Sequence, residues 1–145
     1  CSGQHDAHAL LELDALRRCA PSFEAAADLS DAVYAHRQGH GGAAGQIELR
    51  GPSPYPQLLG EYGDIDIALD THPYNGGATT CDALAHGVPV VALEGARPIG
   101  RQSASLLRAA GHQEWIAGSI AEYVQIAVAL ARSENLDRIR RALHA

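Results

Sequence analysis

The stretch from Asp70 to Leu84 reads DTHPYNGGATTCDAL, and it is followed at Gly87–Val91 by GVPVV. The apolar residues before Asp70 predict a buried strand, and the paired glycines after it predict a turn. Hydroxyl side chains then crowd the predicted N-terminus of a helix, and a second buried strand follows. A strand, turn and helix in this order present backbone N–H groups to a phosphate.

The same pattern of alternating elements extends outward along the chain. Apolar runs predict strands at Ile47–Leu49, Ile65–Asp70, Val88–Leu93 and Trp115–Ala117. Helical spacing predicts helices at His8–Arg18, Gln57–Tyr62, Thr79–His86, Ser103–Ala110, Ser119–Arg132 and Leu136–Leu143. Strands that alternate with helices predict an α/β fold, a Rossmann-like parallel sheet with flanking helices, whose ligands bind beyond the carboxyl ends of the strands.

Details of the helices carry further predictions. Gly87 and Gly111 are placed to end two helices, and Ser119 with Glu122 predicts a capping box. Trp115 is expected in the core and Cys81 is expected to pack as a small buried residue. The last helix is expected to direct its arginines outward. The helix at Ser119–Arg132 carries an apolar stripe at helical spacing, formed by Ile120, Val124, Ala127, Val128 and Ala131.

Composition narrows the class of protein. The chain has 145 residues, 46% of them hydrophobic and 19% charged, with a net charge of -6. This composition is typical of one globular domain and disfavours nucleic acid and anionic membranes as partners. Its apolar runs are too short to span a bilayer. The 3 cysteines lack metal-ligand spacing and are odd in number, which favours a reducing compartment.

The chain contains no methionine and begins with Cys1. We therefore expect it to be a fragment, the C-terminal piece of a larger protein.

The glycine turn has both a chemical and an ordinary interpretation. Gly76 and Gly77 permit positive φ and close approach of a ligand, and the first N–H groups of the following helix have no internal partner. Asn75 with Gly76 is also typical of a simple tight turn. The segment has neither a G-x-G-x-x-G motif nor a P-loop lysine, which argues against nicotinamide cofactors and P-loop nucleotides.

Two residues near the turn remain open. Asp82 lies three residues after Thr79, and by spacing alone a capping-box partner is favoured over a carboxylate that binds a ribose or sugar hydroxyl. His72 is as well suited to donating to a phosphate as to facing solvent in a loop.

The chain resembles the catalytic region of the O-GlcNAc transferase/SPINDLY family of protein O-glycosyltransferases. The resemblance covers roughly residues 46 to 143, whereas residues 1–45 match only loosely. It rests on Leu49–Gly51, Tyr62–Thr71, Pro73–Gly76, Thr79–Leu84, Gly87–Val91, Ser105–Leu107, Glu114–Ala117 and Tyr123–Ala127. The predicted domains are a nucleotide-sugar-binding core at 46–145 with its C-terminal helices and, at 1–45, a poorly matched N-terminal part of the same domain.

The resemblance implies the C-terminal half of a GT-B glycosyltransferase, which holds most nucleotide contacts. The expected reaction transfers N-acetylglucosamine from UDP-GlcNAc to Ser or Thr of acceptor proteins, without a metal or other cofactor. The N-terminal half and upstream TPR repeats, which handle the acceptor, are missing, so this half is not expected to be active alone. The implied location is cytoplasmic, with no nucleic-acid or membrane partner.

The resemblance also implies roles for particular residues, and it names no catalytic residue or metal ligand. Thr79 and Thr80 would hold the diphosphate, Asp82 would contact the ribose, and Arg101 would face the cleft. With the turn residues and His72, the predicted nucleotide-sugar-binding set is Asn75, Gly76, Gly77, Thr79, Thr80, Asp82, Arg101 and His72.

Three alternatives remain at this stage. The first is a protein O-fucosyltransferase that uses GDP-fucose, because Thr79–Asp82 does not separate UDP from GDP. The second is a diverged, non-catalytic domain that binds nucleotide weakly or scaffolds a partner. It is favoured by departures from the family pattern at Leu58, Gly77, Ala78 and Pro98. The third is another GT-B-like enzyme, such as a sugar-nucleotide epimerase.

Overall fold

The computed structural model describes residues 9–11, 50 and 53–144. The chain divides into two compact units, one made of Cys1–Glu12 and Pro54–Ala145 and the other of Leu13–Ser53. The elements below belong to the first unit. The predicted strand at Ile47–Leu49 lies outside the described residues, and the predicted domain boundary near residue 46 stays a prediction.

The described strands form one parallel sheet of four, in the order β1-β2-β3-β4. These strands are β1 (Ala9–Leu11), β2 (Ile67–Leu69), β3 (Val90–Leu93) and β4 (Ile116–Ala117). The register pairs Leu10 with Ala68 and, on the other side of β2, Ala68 with Val90. Because all four strands run in the same direction, their carboxyl ends share one edge of the sheet.

Helices and short 3₁₀ turns connect these strands. The α-helices are α1 (Tyr55–Glu61), α2 (Ala78–Ala85), α3 (Gln102–Ala109), α4 (Ile120–Ala131) and α5 (Leu136–Leu143). The 3₁₀ turns are Tyr62–Asp64, Pro98–Gly100 and Gln113–Trp115. The predicted α/β architecture with a Rossmann-like parallel sheet is confirmed.

The core lies around β3. Val90, Val91 and Ala92 are fully buried because a parallel strand in this position is covered on both faces. The core cluster also includes Ile67, Leu107 and Trp115, so the predicted burial of Trp115 is confirmed. Because β2 and β3 are neighbouring parallel strands in this core, the loops that follow them begin side by side.

The prediction of a helix at His8–Arg18 is wrong for Ala9–Leu11, which form strand β1 beside β2. A short apolar run is compatible with a buried strand as well as with a helix, and here the parallel pairing with β2 decides. The rest of that predicted helix lies outside the described residues, except that Leu13 begins the second unit.

The apolar stripe of α4 does not mark the buried face of that helix. Ile120, Val124 and Val128 are 72%, 53% and 40% exposed. The core is covered instead by the neighbouring face, which carries Tyr123, Ile126 and Leu130, and Ala127 is the one residue of the stripe that packs against it. Both faces are apolar, so helical spacing alone cannot select between them.

The capping prediction for α4 is confirmed in its first half. The Ser119 hydroxyl accepts a hydrogen bond from the Glu122 amide at 3.2 Å. The Glu122 carboxylate, however, accepts from the Gly118 amide at 2.8 Å, one residue before the position that a capping box uses.

Gly87 and Gly111 end their helices at φ of 74° and 84°, as predicted. The prediction that all arginines of α5 point outward is wrong for Arg140, whose Nη1 donates to Asp66 Oδ1 at 2.9 Å. This bond ties α5 to the segment that enters β2. The prediction that Cys81 is buried is also wrong, because its side chain is exposed on α2.

Within the described ranges, none of the helices combines the length and the apolar character that a membrane crossing requires.

Candidate functional site

The turn after β2 is closed by the carboxylate of Asp70. Its Oδ1 accepts a hydrogen bond from the Gly76 amide at 2.7 Å. Asn75 is buried within the same turn. Its side-chain Nδ2 donates to the Thr71 carbonyl at 3.0 Å, and its backbone N–H donates to the Ile99 carbonyl at 3.2 Å. The residues between strand and helix are therefore held as a defined loop at the carboxyl edge of the sheet.

Gly76 is required by close packing. A Cβ atom at this position would overlap Thr79 Oγ1 and would stand 3.0 Å from Thr80 Oγ1 and 3.3 Å from Asp70 Oδ1. Gly77 is different, because a Cβ there would meet only Gln102 Oε1 at 3.4 Å, an ordinary contact.

Neither of the two turn glycines adopts the positive φ that glycine permits. Among the described residues only Gly87 and Gly111 have positive φ, and Gly77 has φ of -110°. The glycine signal in this turn reflects the need for space at Gly76, and not a left-handed backbone.

Helix α2 presents a free N-terminus. Its N-cap is Gly77, and no side chain of the described residues caps it. The amide of Cys81 bonds to the Gly77 carbonyl at 3.2 Å, which starts the helical pattern. The backbone N–H groups that precede Cys81 at the start of the helix have no acceptor within the helix, and they lie at the positive end of its dipole. An anion is the ligand that such an end stabilises.

The two threonines of the first turn differ in position. Thr79 is half-buried, and its hydroxyl lies beside Gly76. Thr80 is 3% exposed, and its Oγ1 donates to the Gly76 carbonyl at 3.1 Å and lies 2.8 Å from Ser103 Oγ. The family resemblance implies the same role for both threonines, whereas the fold directs the Thr80 hydroxyl into the protein.

Asp70 is the buried ionisable group of the turn. Burial raises the pKa of its carboxyl above the ordinary value, and the hydrogen bond from the Gly76 amide opposes that shift most strongly. Two buried oxygens in this region, Asp70 Oδ2 and Asn75 Oδ1, accept no hydrogen bond within the part of the chain that the structure describes.

Asp82 has a partner on another helix. Its Oδ1 accepts a hydrogen bond from the exposed Tyr55 hydroxyl at 3.0 Å, and this bond raises the pKa of Tyr55. The capping interpretation of Asp82 is wrong, because α2 begins at Ala78 and Thr79 is not its N-cap. The carboxylate therefore remains on the surface beside an aromatic ring.

The loop after β3 packs beside the turn. Arg101 is exposed, and its Nε donates to the Gly95 carbonyl at 3.0 Å. His72 is also exposed, and its Cε1 would lie 3.4 Å from a Cβ at Gly95. Pro73 approaches the same loop, since its carbonyl would stand 3.1 Å from a Cβ at Gly100. The structure thus places the predicted residues His72 and Arg101 close to Gly95.

The predicted residues Asn75, Gly76, Gly77, Thr79 and Thr80 form one contiguous turn, and Asp82 lies on the next turn of α2. Their roles as ligands stay predictions. Sequence analysis assigned no site role to Asp70, Ser103 or Tyr55. Ser103 is remote in sequence from the turn, and no local pattern connects it to Thr80.

Metal-ligating side chains do not cluster here. Across the described ranges, no group of three or more His, Cys, Asp or Glu residues is arranged to hold an ion. The polar groups of the turn are amides, hydroxyls and one buried carboxyl, a set that suits an anion and sugar hydroxyls. The fold and site together define a Rossmann-like α/β domain with a candidate anion-binding turn at the carboxyl ends of its strands.

Comparison with known proteins gives this domain a family. The model of glycosyl transferase family 41 matches residues 61–145. The chain therefore belongs to glycosyl transferase family 41.

Curated relatives agree with this assignment. The chain is 39% identical over 83 residues to a protein of Petunia hybrida described as "Probable UDP-N-acetylglucosamine--peptide N-acetylglucosaminyltransferase SPINDLY". It is 40% identical over 83 residues to the protein of the same description from Arabidopsis thaliana. Each match covers 57% of this chain and 9% of the relative, so the chain matches only about a tenth of their length.

A solved structure supports the fold directly. A point mutant of the O-GlcNAc transferase of Thermobaculum terrenum superimposes with a TM-score of 0.75 at 46% identity. That match covers 79% of this chain and 22% of the other chain. The predicted relationship to the O-GlcNAc transferase/SPINDLY family and its GT-B-like α/β fold is confirmed.

Proposed function

We propose that this chain is the donor-binding part of a protein O-glycosyltransferase that transfers N-acetylglucosamine from UDP-GlcNAc to Ser or Thr of acceptor proteins. The observation that carries the proposal is the uncapped N-terminus of α2, which follows β2 after the turn at residues 70–77. The names of the relatives point to UDP-N-acetylglucosamine as the donor and to a peptide as the acceptor.

The role of the turn follows from the charge that the reaction develops. The bond between the anomeric carbon and the diphosphate oxygen breaks, the acceptor hydroxyl oxygen forms the new bond, and the hydroxyl proton leaves to a base outside the residues assigned here. The departing UDP gains negative charge. In this proposal, amides of the α2 N-terminus and the Thr79 hydroxyl stabilise that charge, each bond contributing roughly 1.5–3 kcal/mol.

The nucleoside would extend from the diphosphate along α2. Asp82 accepts a hydrogen bond from the Tyr55 hydroxyl at 3.0 Å, so a ribose hydroxyl has an acceptor there. Arg101 and His72 flank Gly95 and would border the diphosphate. In this proposal the helix end takes the part that a cation plays in metal-dependent transferases, and no metal or other cofactor is used.

The acceptor protein is bound by parts other than the donor turn, and this chain alone is not active. A cytoplasmic location is part of the same proposal.

Nucleotide titration tests the proposal. Calorimetry with UDP, UDP-GlcNAc and GDP is expected to show binding of UDP that Thr79→Ala weakens by about tenfold, equivalent to about 1.4 kcal/mol. Ser105→Ala is the matched control, because Ser105 is exposed on α3 and has no part in the turn. Stronger binding of GDP would instead assign a GDP-sugar donor such as GDP-fucose. Absence of UDP and GDP binding would favour a non-catalytic scaffold.

A further inference from the structure

We propose that the hydroxyls of Thr80 and Ser103 form an internal brace that orients the anion-binding turn, and that the Thr80 hydroxyl does not bind the diphosphate. Thr80 and Ser103 are thus positioning residues for the donor. The inference rests on the proposed function, in which the turn binds a diphosphate. It adds Ser103, which lies outside the segment Asn75–Thr80, to the residues that serve this function.

The brace is a compact group of three oxygens. Ser103 Oγ donates to the Gly76 carbonyl at 2.7 Å, Thr80 Oγ1 lies 3.1 Å from the same carbonyl, and the two hydroxyls are 2.8 Å apart. Ser103 is fully buried and Thr80 is 3% exposed. A ligand on the protein surface therefore has little access to either hydroxyl.

The count of hydrogens leads to the same conclusion. Each hydroxyl has one hydrogen to donate. If one hydroxyl donates to the Gly76 carbonyl, the other donates to that carbonyl, to its neighbour hydroxyl or, in the case of Ser103, toward the buried Asp70 carboxylate. Both hydrogens are then used inside the protein, and breaking either bond would leave a buried polar group unsatisfied.

The brace acts on the amide of Gly77. The peptide group between Gly76 and Gly77 is planar, and in its trans form the C=O and N–H point in opposite directions. Because the Gly76 carbonyl is held toward Thr80 and Ser103, the Gly77 N–H points away from them. The Gly76 amide is meanwhile held by Asp70 Oδ1 at 2.7 Å. Ser103 thus fixes, through one carbonyl, the direction of an amide at the start of the anion site.

The brace also connects the first turns of two helices. Thr80 belongs to α2, which follows β2, whereas Ser103 belongs to the first turn of α3, which follows β3. A shift of α3 relative to the turn would release the carbonyl. The carboxyl ends of the two strands are therefore linked at the point where a diphosphate would bind.

The test is a double-mutant cycle of Thr80→Val and Ser103→Ala, with Ser105→Ala as the control. Valine keeps the shape of threonine and removes its hydroxyl. The first measurement is hydrogen exchange of the Gly76 and Cys81 amides by NMR without nucleotide, with the amides of β3 as internal reference. The second is UDP affinity by calorimetry.

If the brace exists, each single variant is expected to accelerate hydrogen exchange of the Gly76 and Cys81 amides but not of the β3 amides. Each is also expected to lower the affinity for UDP by about tenfold. The double variant is then expected to bind about as weakly as one single variant, because either change disables the same device. The control is expected to leave both measurements unchanged.

Two results would overturn the inference. Loss of UDP affinity in Thr80→Val alone, with normal exchange at Gly76, would make the Thr80 hydroxyl a direct ligand. Unchanged exchange in both single variants would show that no brace exists. If the unmodified chain binds no nucleotide, the proposed function fails, and the exchange measurements still decide whether the hydroxyls hold the turn.

Discussion

At the scale of single residues, Gly76 is the position in the turn that has least room for a side chain. Its missing side chain leaves room for Thr79 Oγ1, Thr80 Oγ1 and Asp70 Oδ1. Gly60, within α1, has open space around its Cα and provides a natural comparison. The contrast separates a glycine needed for packing from one that the fold only tolerates.

We expect Gly76→Ala to destabilise the chain by about 1–3 kcal/mol, because the new methyl group overlaps hydroxyls that are themselves held. Gly60→Ala is expected to stabilise it by about 0.5–1 kcal/mol, since alanine lowers the entropy of the unfolded helix segment. Urea unfolding measures both. Equal effects of the two substitutions would contradict the close packing at Gly76.

Asp70 gives a prediction about pH. Burial raises the pKa of its carboxyl in the folded state. Asp70 therefore stabilises the fold most fully below the unfolded pKa, and this contribution is lost as pH rises through the folded pKa. Asp70→Asn removes the titration and keeps an oxygen for the Gly76 amide.

Relative to Asp70→Asn, the unmodified chain is thus expected to lose stability as the pH is raised from about 4 to about 7. Urea unfolding of both proteins across this range gives the difference, in which the other carboxylates cancel. A difference that grows in favour of Asp70 with rising pH would show that its folded pKa is lowered.

At the scale of elements, the N-terminus of α2 combines two properties that can be separated. It lacks a side-chain cap, which costs the helix some stability, and it leaves amides for an anion. Gly77, the N-cap, has φ of -110° and room for a Cβ atom. A carboxylate at this position satisfies the helix and competes with a phosphate.

Gly77→Asp is accordingly expected to keep or slightly raise the melting temperature, because aspartate is a favoured N-cap. It is expected to weaken UDP by more than about tenfold, since the carboxylate occupies the amides and repels the diphosphate. Thermal melting and calorimetry provide the two measurements, with Gly77→Ala as the uncharged control. Full UDP affinity in Gly77→Asp would exclude the α2 N-terminus as the phosphate site.

At the scale of the whole molecule, packing against the sheet decides which side of each helix is buried. Helix α4 shows this clearly, because its Tyr123 hydroxyl reaches the Asp70 carbonyl at 2.9 Å and its Leu130 enters the core. The same helix leaves Ile120 and Val124 exposed. Its orientation over β2 and β3 is therefore a property of the assembled domain.

Substitutions on the two faces of α4 are expected to differ sharply. Leu130→Ala should cost about 2–5 kcal/mol by leaving a cavity in the core. Val124→Ala should change stability by less than about 0.5 kcal/mol, because its side chain packs against little and alanine favours helix. Chemical denaturation distinguishes them, and a larger cost for Val124→Ala would reverse the assigned faces.

Much of the fold was predictable because its signals are local. The apolar run before Asp70 and the glycine turn located β2 and α2 to within two residues, and Gly87 and Gly111 ended their helices as expected. The contiguous motif from Asn75 to Thr80 also marked the candidate site. Hydrophobic periodicity and the ending of a helix at glycine depend on neighbours in sequence, so one sequence suffices to reveal them.

Other features depend on contacts between distant residues. Ala9–Leu11 became a strand because β2 offered a parallel partner, and the buried face of α4 was chosen by the sheet. Ser103 contacts Thr80 and Gly76 only because α3 packs beside the turn. The sequence by itself determined the order of elements and the motif of the turn. Tertiary structure decided which hydroxyl faces the interior, because burial and hydrogen bonding there are set by residues far apart in the chain.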